Sequence, residues 1–265
     1  MLVEVNMAEV SALSATVIIK TEDECIPNNV VRDAAGNPIR LANGSFLTSG
    51  EEKLDSGPQT AKNQTLPLNF QVQKSVLVNL STPEPPGGIG RLTRLHVKAV
   101  MIMIARAASG NLYNLITPSD FVGKYQLSAI TLSELGYIKP EYVVTYGLST
   151  VKRREAWTGK DRINSLETWF LSPGVQEAAM FNFLEKNYIS MQNNGAIKDE
   201  DNLCTIAGML CVAHILGPDS GTELAPGAKR WRTTGGGKDV NGNYASTYFL
   251  LGRYAIDVLA APRTQ

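Results

Sequence analysis

Residues able to move protons, hold metals or attack carbon are few in this chain and widely spaced. Its two histidines are His96 and His214, and its three cysteines are Cys25, Cys204 and Cys211. Neither histidine has a second ligand at helical spacing, so a zinc site is not expected, and a histidine-activated serine or cysteine has little to work with. Cys204 and Cys211 are seven apart. On a helix that is an advance of about 10.5 Å, beyond the roughly 7 Å that a disulfide can span. They read as small core residues. The run Thr233-Thr234-Gly235-Gly236-Gly237-Lys238-Asp239 imitates a phosphate loop, but Asp239 stands where that loop needs serine or threonine. No metal and no cofactor is expected. Lys152, Arg153 and Arg154, with Lys160, Arg162 and Trp157 nearby, read as a solvated loop, or alternatively as a contact for an acidic polymer or a partner protein.

The elements that must position these residues belong to the rear of the chain. Of 265 residues, 43% are hydrophobic and 19% charged, and 25 basic side chains balance 25 acidic ones. No basic excess points to nucleic acid as a partner. No apolar run approaches the roughly 20 residues that span a bilayer. Glu4 and Glu9 near the start do not suit a secretory signal, so a soluble protein is expected. Before residue 89 the aromatics are Phe46 and Phe70, whereas all nine tyrosines and all three tryptophans come later. A segment so poor in aromatic area builds a weak core alone. Residues 1–88 therefore read as an extended or β-rich arm, with strand-like pieces at Ala15–Lys20 and Phe70–Leu80, and serve contacts with other subunits. Ser81-Thr82-Pro83-Glu84-Pro85-Pro86-Gly87-Gly88 reads as the linker, stiffened by prolines and freed by its glycine pair.

Residues 89–265 read as a mainly α domain. Helices are expected over Leu92–Ala108, Tyr125–Leu135, Pro173–Met191, Asp201–Leu216 and Ala245–Ala260. Gly136 and Gly217-Pro218 supply stop signals, and Ser172 with Pro173 supplies a start. Long loops are expected over Lys139–Ser165 and Pro218–Asn243.

Five pieces in order carry a family resemblance. They are Ala105-Arg-Ala-Ala-Ser-Gly-Asn-Leu-Tyr-Asn114; Asp120-Phe-Val-Gly-Lys-Tyr-Gln-Leu127 with Leu135-Gly136-Tyr137; Ser172-Pro-Gly-Val-Gln-Glu-Ala-Ala179; Ala207-Gly-Met-Leu-Cys-Val-Ala-His-Ile-Leu-Gly217; and Gly235-Gly-Gly-Lys-Asp-Val-Asn-Gly-Asn243. Together they resemble the lysozyme-like muramidase and lytic transglycosylase domains of phage tail proteins and related injection machines. The resemblance implies a lysozyme-like helical fold behind the arm, and a cleft for peptidoglycan shaped by Tyr125, Gln126, Ser109 and Asn111. In that family a glutamate at the end of the first helix donates a proton to the glycosidic oxygen. Aligned on Ser109-Gly110-Asn111, that place falls to Ala108, which has no proton to give. Asp120 is a weak substitute, while Glu134, Glu167 and Glu177 fall on other elements.

The resemblance therefore implies a structural component of a phage tail or baseplate, held in the virion after assembly in the host cytoplasm. It would contact neighbouring subunits through residues 1–88 and would have no catalytic residue of its own. The alternatives are an active peptidoglycan-cleaving enzyme and a module that grips peptidoglycan without cutting it.

Overall fold

Between Leu203 and Leu216 the chain carries no charged residue, and a helix apolar on every side is stable only with neighbours all round it. The computed structural model, which describes residues 83–219, 221, 227–234, 237 and 244–260, is built around that segment. In chain order its helices are α1 (Arg94–Ser109), α2 (Ala129–Glu134), α3 (Pro140–Tyr146), α4 (Leu166–Phe170), α5 (Pro173–Asn193), α6 (Leu203–Leu216), α7 (Ala228–Thr234) and α8 (Ala245–Ala260). Short 3₁₀ turns occupy Gly147–Lys152, Arg154–Ala156 and Lys160–Arg162. Among the described residues, extended pairing is limited to isolated antiparallel bridges. The described part is thus mainly helical. No helix in it is long and apolar enough to cross a membrane.

Helix α6 is buried from Leu203 through Ala213, not on one side only. Asn202 starts it by accepting the Thr205 amide at 2.8 Å. Helix α8 is its main neighbour and also packs on α1. The α6–α8 crossing requires Gly252, where an added Cβ would lie 2.3 Å from the Ala207 carbonyl oxygen. Cys204 and Cys211 are buried free thiols in this helix, and full burial pushes the Cys211 thiol up.

Helix α1 is buried without interruption from His96 to Ala105. Its start is a reciprocal cap. The Thr93 hydroxyl accepts the His96 amide at 3.3 Å, and the His96 imidazole Nδ1 accepts the Thr93 amide at 3.2 Å. Histidine thus fills the place that glutamate or glutamine takes in the usual capping box. Gly110, at φ 64°, closes the helix in the left-handed position.

Several expectations change against this frame. The helix expected from Tyr125 begins only at Ala129, where the Ser128 hydroxyl accepts the Thr131 amide at 3.0 Å. Before it, Val122 is bridged to both Ile116 and Leu127, and Gln126 holds a positive φ of 49° that no helix accommodates. The stretch 139–165, expected as a loop, contains α3 and the three 3₁₀ turns, with Pro140 opening α3. The stretch 218–243 contains α7. Ser172 does precede α5, but its hydroxyl donates back to the Thr168 carbonyl at 2.7 Å instead of capping the helix. From Pro83 onward the linker is not free. Pro85 is buried, and Glu84 pairs with Lys98. The arm up to residue 82, with Cys25 and both strand-like pieces, lies outside the described residues. So do Gly235, Gly236 and Lys238–Asn243 of the glycine-rich run.

The His96 cap makes stability depend on pH. Burial lowers its imidazole from 6.5 to about 4, so the folded chain keeps it neutral where the unfolded chain binds a proton. Protonation would also put a hydrogen on Nδ1, facing the Thr93 amide. The stabilisation is fully present above pH 6.5, is lost as pH falls toward 4, and is flat below. Its full size is about 3 kcal/mol. Urea unfolding followed by circular dichroism should show that slope, superimposed on the titration of carboxylates. His96→Gln, which can still close the capping box, should remove the histidine part of it.

Candidate functional site

The chain leaves α1 at Gly110 and returns to the helical body at α2, and the intervening residues form the candidate site. Two devices fold this excursion. One is a set of residues held at positive φ: Asn111 at 72°, Asp120 at 63° and Gln126 at 49°. The other is the first turn of α5, whose Gln176 and Glu177 reach into the excursion from below. The Gln176 amide donates to the carbonyls of Tyr113 (3.0 Å) and Trp169 (2.8 Å), and its Oε1 accepts the Lys124 amide at 2.8 Å. Gly123, at φ 79°, permits this approach, because an added Cβ would lie 2.4 Å from Gln176 Oε1 and 2.7 Å from Trp169 Nε1. Trp169 itself is wedged between Tyr137 and Trp157, with ring centroids 5.4 Å and 6.1 Å away.

At the centre is Glu177, only 6% exposed. Its Oε1 accepts from Lys124 Nζ at 2.7 Å and from the Tyr113 hydroxyl at 2.6 Å, and its Oε2 accepts from the Tyr125 hydroxyl at 2.5 Å. Lys124 Nζ also donates to the Tyr113 hydroxyl oxygen at 3.1 Å. Every partner of the Glu177 carboxylate is therefore a donor. Burial, and then the neighbouring Glu177 carboxylate, push both tyrosine hydroxyls well above the ordinary phenol range. They are hydrogen-bond donors here, not acids.

The residues singled out by sequence occupy distinct places around this centre. Ala108 is half-buried in the last turn of α1, next to Ser109. Ser109 is buried and donates to the Lys124 carbonyl at 2.6 Å, which ties the end of α1 to the Gly123–Gln126 turn. Tyr125 is 1% exposed, its ring in the core and its hydroxyl on Glu177. Gln126 is 9% exposed and donates to the Gly123 carbonyl at 2.7 Å, while its Oε1 is buried with no hydrogen-bond partner. Asn111 is exposed. Asp120 pairs with Lys152, whose Nζ sits 2.5 Å from its Oδ1. Glu134 is on the surface, paired with Lys186, and Glu167 is exposed.

Sequence reasoning left Glu177 aside as belonging to another element, and did not single out Lys124, Tyr113 or Gln176 as partners. A signal was available. Glu177 shares the helical face of Met180, Phe181 and Leu184, all buried, and a carboxylate on an apolar face needs a cation brought to it. Which cation depends on the path of the excursion, and that path rests on left-handed residues with no glycine to mark them.

The basic cluster is largely spent on internal contacts. Besides Lys152 on Asp120, Arg153 lies 3.5 Å from the Tyr146 ring centroid and Lys160 donates to the Leu135 carbonyl at 2.7 Å. Trp157 is buried, its indole donating to the Val151 carbonyl at 3.1 Å. Among the described residues no group of three or more His, Cys, Asp or Glu side chains could hold a metal ion. Comparison with family models, with curated proteins and with solved structures finds no match to this chain.

The arrangement can hold an excursion rigidly against a helical body, with Asn111 on its outer side. Removing the charge at its centre should be costly. Glu177→Gln leaves the Lys124 ammonium buried without a counter-ion, which should lower stability by about 3–5 kcal/mol in urea unfolding. Adding Lys124→Met to that variant removes the stranded charge and should recover more than half of the loss.

Proposed function

We propose that this chain is a structural component of a phage tail, baseplate or related injection machine, and that its helical part is a lysozyme-like domain that does not cleave glycan. The order of the five sequence pieces supports the family. The state of the carboxylates supports the loss of cleavage, and this is the observation that carries the reading. A glycosidase needs one carboxylic acid kept protonated beside the scissile oxygen. Here the end of α1 offers the methyl group of Ala108, Asp120 carries the Lys152 ammonium, and Glu177 is surrounded by three donors. Both carboxylates thus have their oxygens engaged by groups of the protein itself, which is not the arrangement a general acid facing a glycosidic oxygen requires. General acid catalysis contributes about 10²- to 10⁴-fold, so a domain without it would cut slowly or not at all. Its use would then lie in what it touches, and residues 1–88 would make the contacts with neighbouring subunits.

One observation favours a second reading, in which the domain holds peptidoglycan without cutting it. The side-chain oxygen of Gln126, a residue that the resemblance assigns to the cleft, is buried without a hydrogen-bond partner. Such an oxygen is an acceptor left open for a ligand hydroxyl or a water.

A turbidity assay on purified peptidoglycan tests the first reading. The full chain, shown to be folded by circular dichroism, should give no clearing. Clearing that disappears with Asp120→Asn would overturn the reading and identify the proton donor. Cosedimentation with the same walls, weakened by Asn111→Ala, would replace pure scaffolding with the second reading.

A further inference from the structure

Lys98 is a charged residue in the middle of the most apolar stretch of α1, with a side chain only 2% exposed. Its ammonium meets the Glu84 carboxylate at 2.5 Å. Glu84 is not in the core: its side chain is 48% exposed, and it belongs to the proline-rich segment that runs into α1. The two partners are thus unequal. Withdrawn into water, Glu84 loses little, whereas Lys98 would be left as a buried charge without a counter-ion.

The other ties of this segment are few. Among the described residues, Pro83, Pro85 and Pro86 bring no amide hydrogen, and the first backbone hydrogen bonds come at the Ile89–Leu92 turn. Pro85 is buried, and Arg94 donates to the Pro86 carbonyl at 2.8 Å on the surface. Beyond the turn the chain is fixed: Ile89 and Leu92 are in the core, and Arg91 donates to the Asp201 carbonyl at 2.7 Å. Asp201 in turn forms a buried bidentate pair with Arg232 of α7. A weakly held strip therefore ends abruptly at a strongly held anchor.

We propose that Pro83–Gly88 is a latched strap, with Glu84 as the removable counter-ion of Lys98. The strap hinges at Gly87-Gly88, just before the Ile89–Leu92 turn, and a pull on the residues before Pro83 lifts it from α1 and uncovers the Lys98 ammonium. A partner that grips the preceding chain would then change the surface of the helical part at a defined place, while the Arg91–Asp201–Arg232 anchor keeps the rest folded. This inference does not depend on whether the helical part is lysozyme-like.

The test reads the reactivity of individual lysines in the full chain, by acetylation with an N-hydroxysuccinimide ester and mass spectrometry. Lys98 should react slowly in the unaltered protein, against the exposed Lys152 as reference. Glu84→Gln should speed its acetylation about tenfold or more, because a charge-assisted hydrogen bond then no longer holds the strap down. The buried Lys124, whose carbonyl accepts from Ser109 at the C-terminal end of α1, should keep its rate. Glu84→Asp, which retains the charge on a shorter stem, should give a smaller rise and carries the test if the glutamine variant does not fold. No rise at Lys98 in either variant would overturn the proposal. So would an equal rise at Lys124, since the opening would then be global unfolding and not the release of a strap.

Discussion

A charge taken out of water must find its opposite, and in this chain that requirement organises the excursion between α1 and α2. The Glu177 carboxylate is carried inward by the apolar face of α5, and only a cation on another element can make its burial tolerable. Lys124 supplies it. To bring that ammonium down, the backbone must turn at Gly123, lay Tyr125 into the core and hold Gln126 in a left-handed conformation. The pair need not add stability relative to an apolar replacement. What it adds is a single permitted path, because any other register of the turn leaves two charges buried and separated. The same rule operates at Asp201 and Arg232, which fix α7 against the entry to α6.

This demand decides what chemistry is open to the domain. A carboxyl group can serve as a general acid only while something keeps its proton on, and apolar surroundings do that by making ionisation expensive. The Glu177 carboxyl is in a contrary situation, with both oxygens committed to an ammonium and two hydroxyl donors inside the protein. Glu177 is thus close to the residues that suggest a cleft and yet unsuited to the reaction such a cleft would perform. The proposed absence of cleavage rests on this opposition between two uses of one functional group. Distance plays no part in it.

What could be read from sequence follows from how local the governing interaction is. The apolar runs at α1 and α6 announce themselves, since their long continuously buried stretches leave no periodic gap to misread, and α8 shows buried positions at helical spacing. The long α5, with proline at its first position, is equally plain. The turn at Gly123–Ser128 was not legible as a turn. Its residues after the glycine are common helix formers, and tertiary contacts with Gln176 and Glu177, more than fifty positions away, override that preference. Short helix α3 was hidden for a related reason: it buries no residue, so no apolar stripe marks it. Of the candidate site, Ser109, Tyr125 and Gln126 were identified, but as lining for a ligand. The structure gives them packing and hydrogen-bonding partners inside the protein, and leaves Asn111 in solvent.

In the proposed reading, that shift of role bears on how a motif would outlast an activity. Gly123-Lys124-Tyr125-Gln126 reads as the signature of a cleft, yet each member has a structural task here that needs no substrate. Gly123 admits Trp169 and Gln176, Lys124 neutralises Glu177, Tyr125 donates to the same carboxylate from within the core, and Gln126 closes the turn on the Gly123 carbonyl. Replacing any of the four would strand a buried group or force a clash. Ala108 has no such obligations: it lies in the last turn of α1, half-buried, with a side chain that makes no hydrogen bond in any protein. A proton donor at that place could be lost without disturbing the fold, whereas the motif around it could not. A chain that still carries the cleft signature and lacks its acid is what these unequal structural costs would produce.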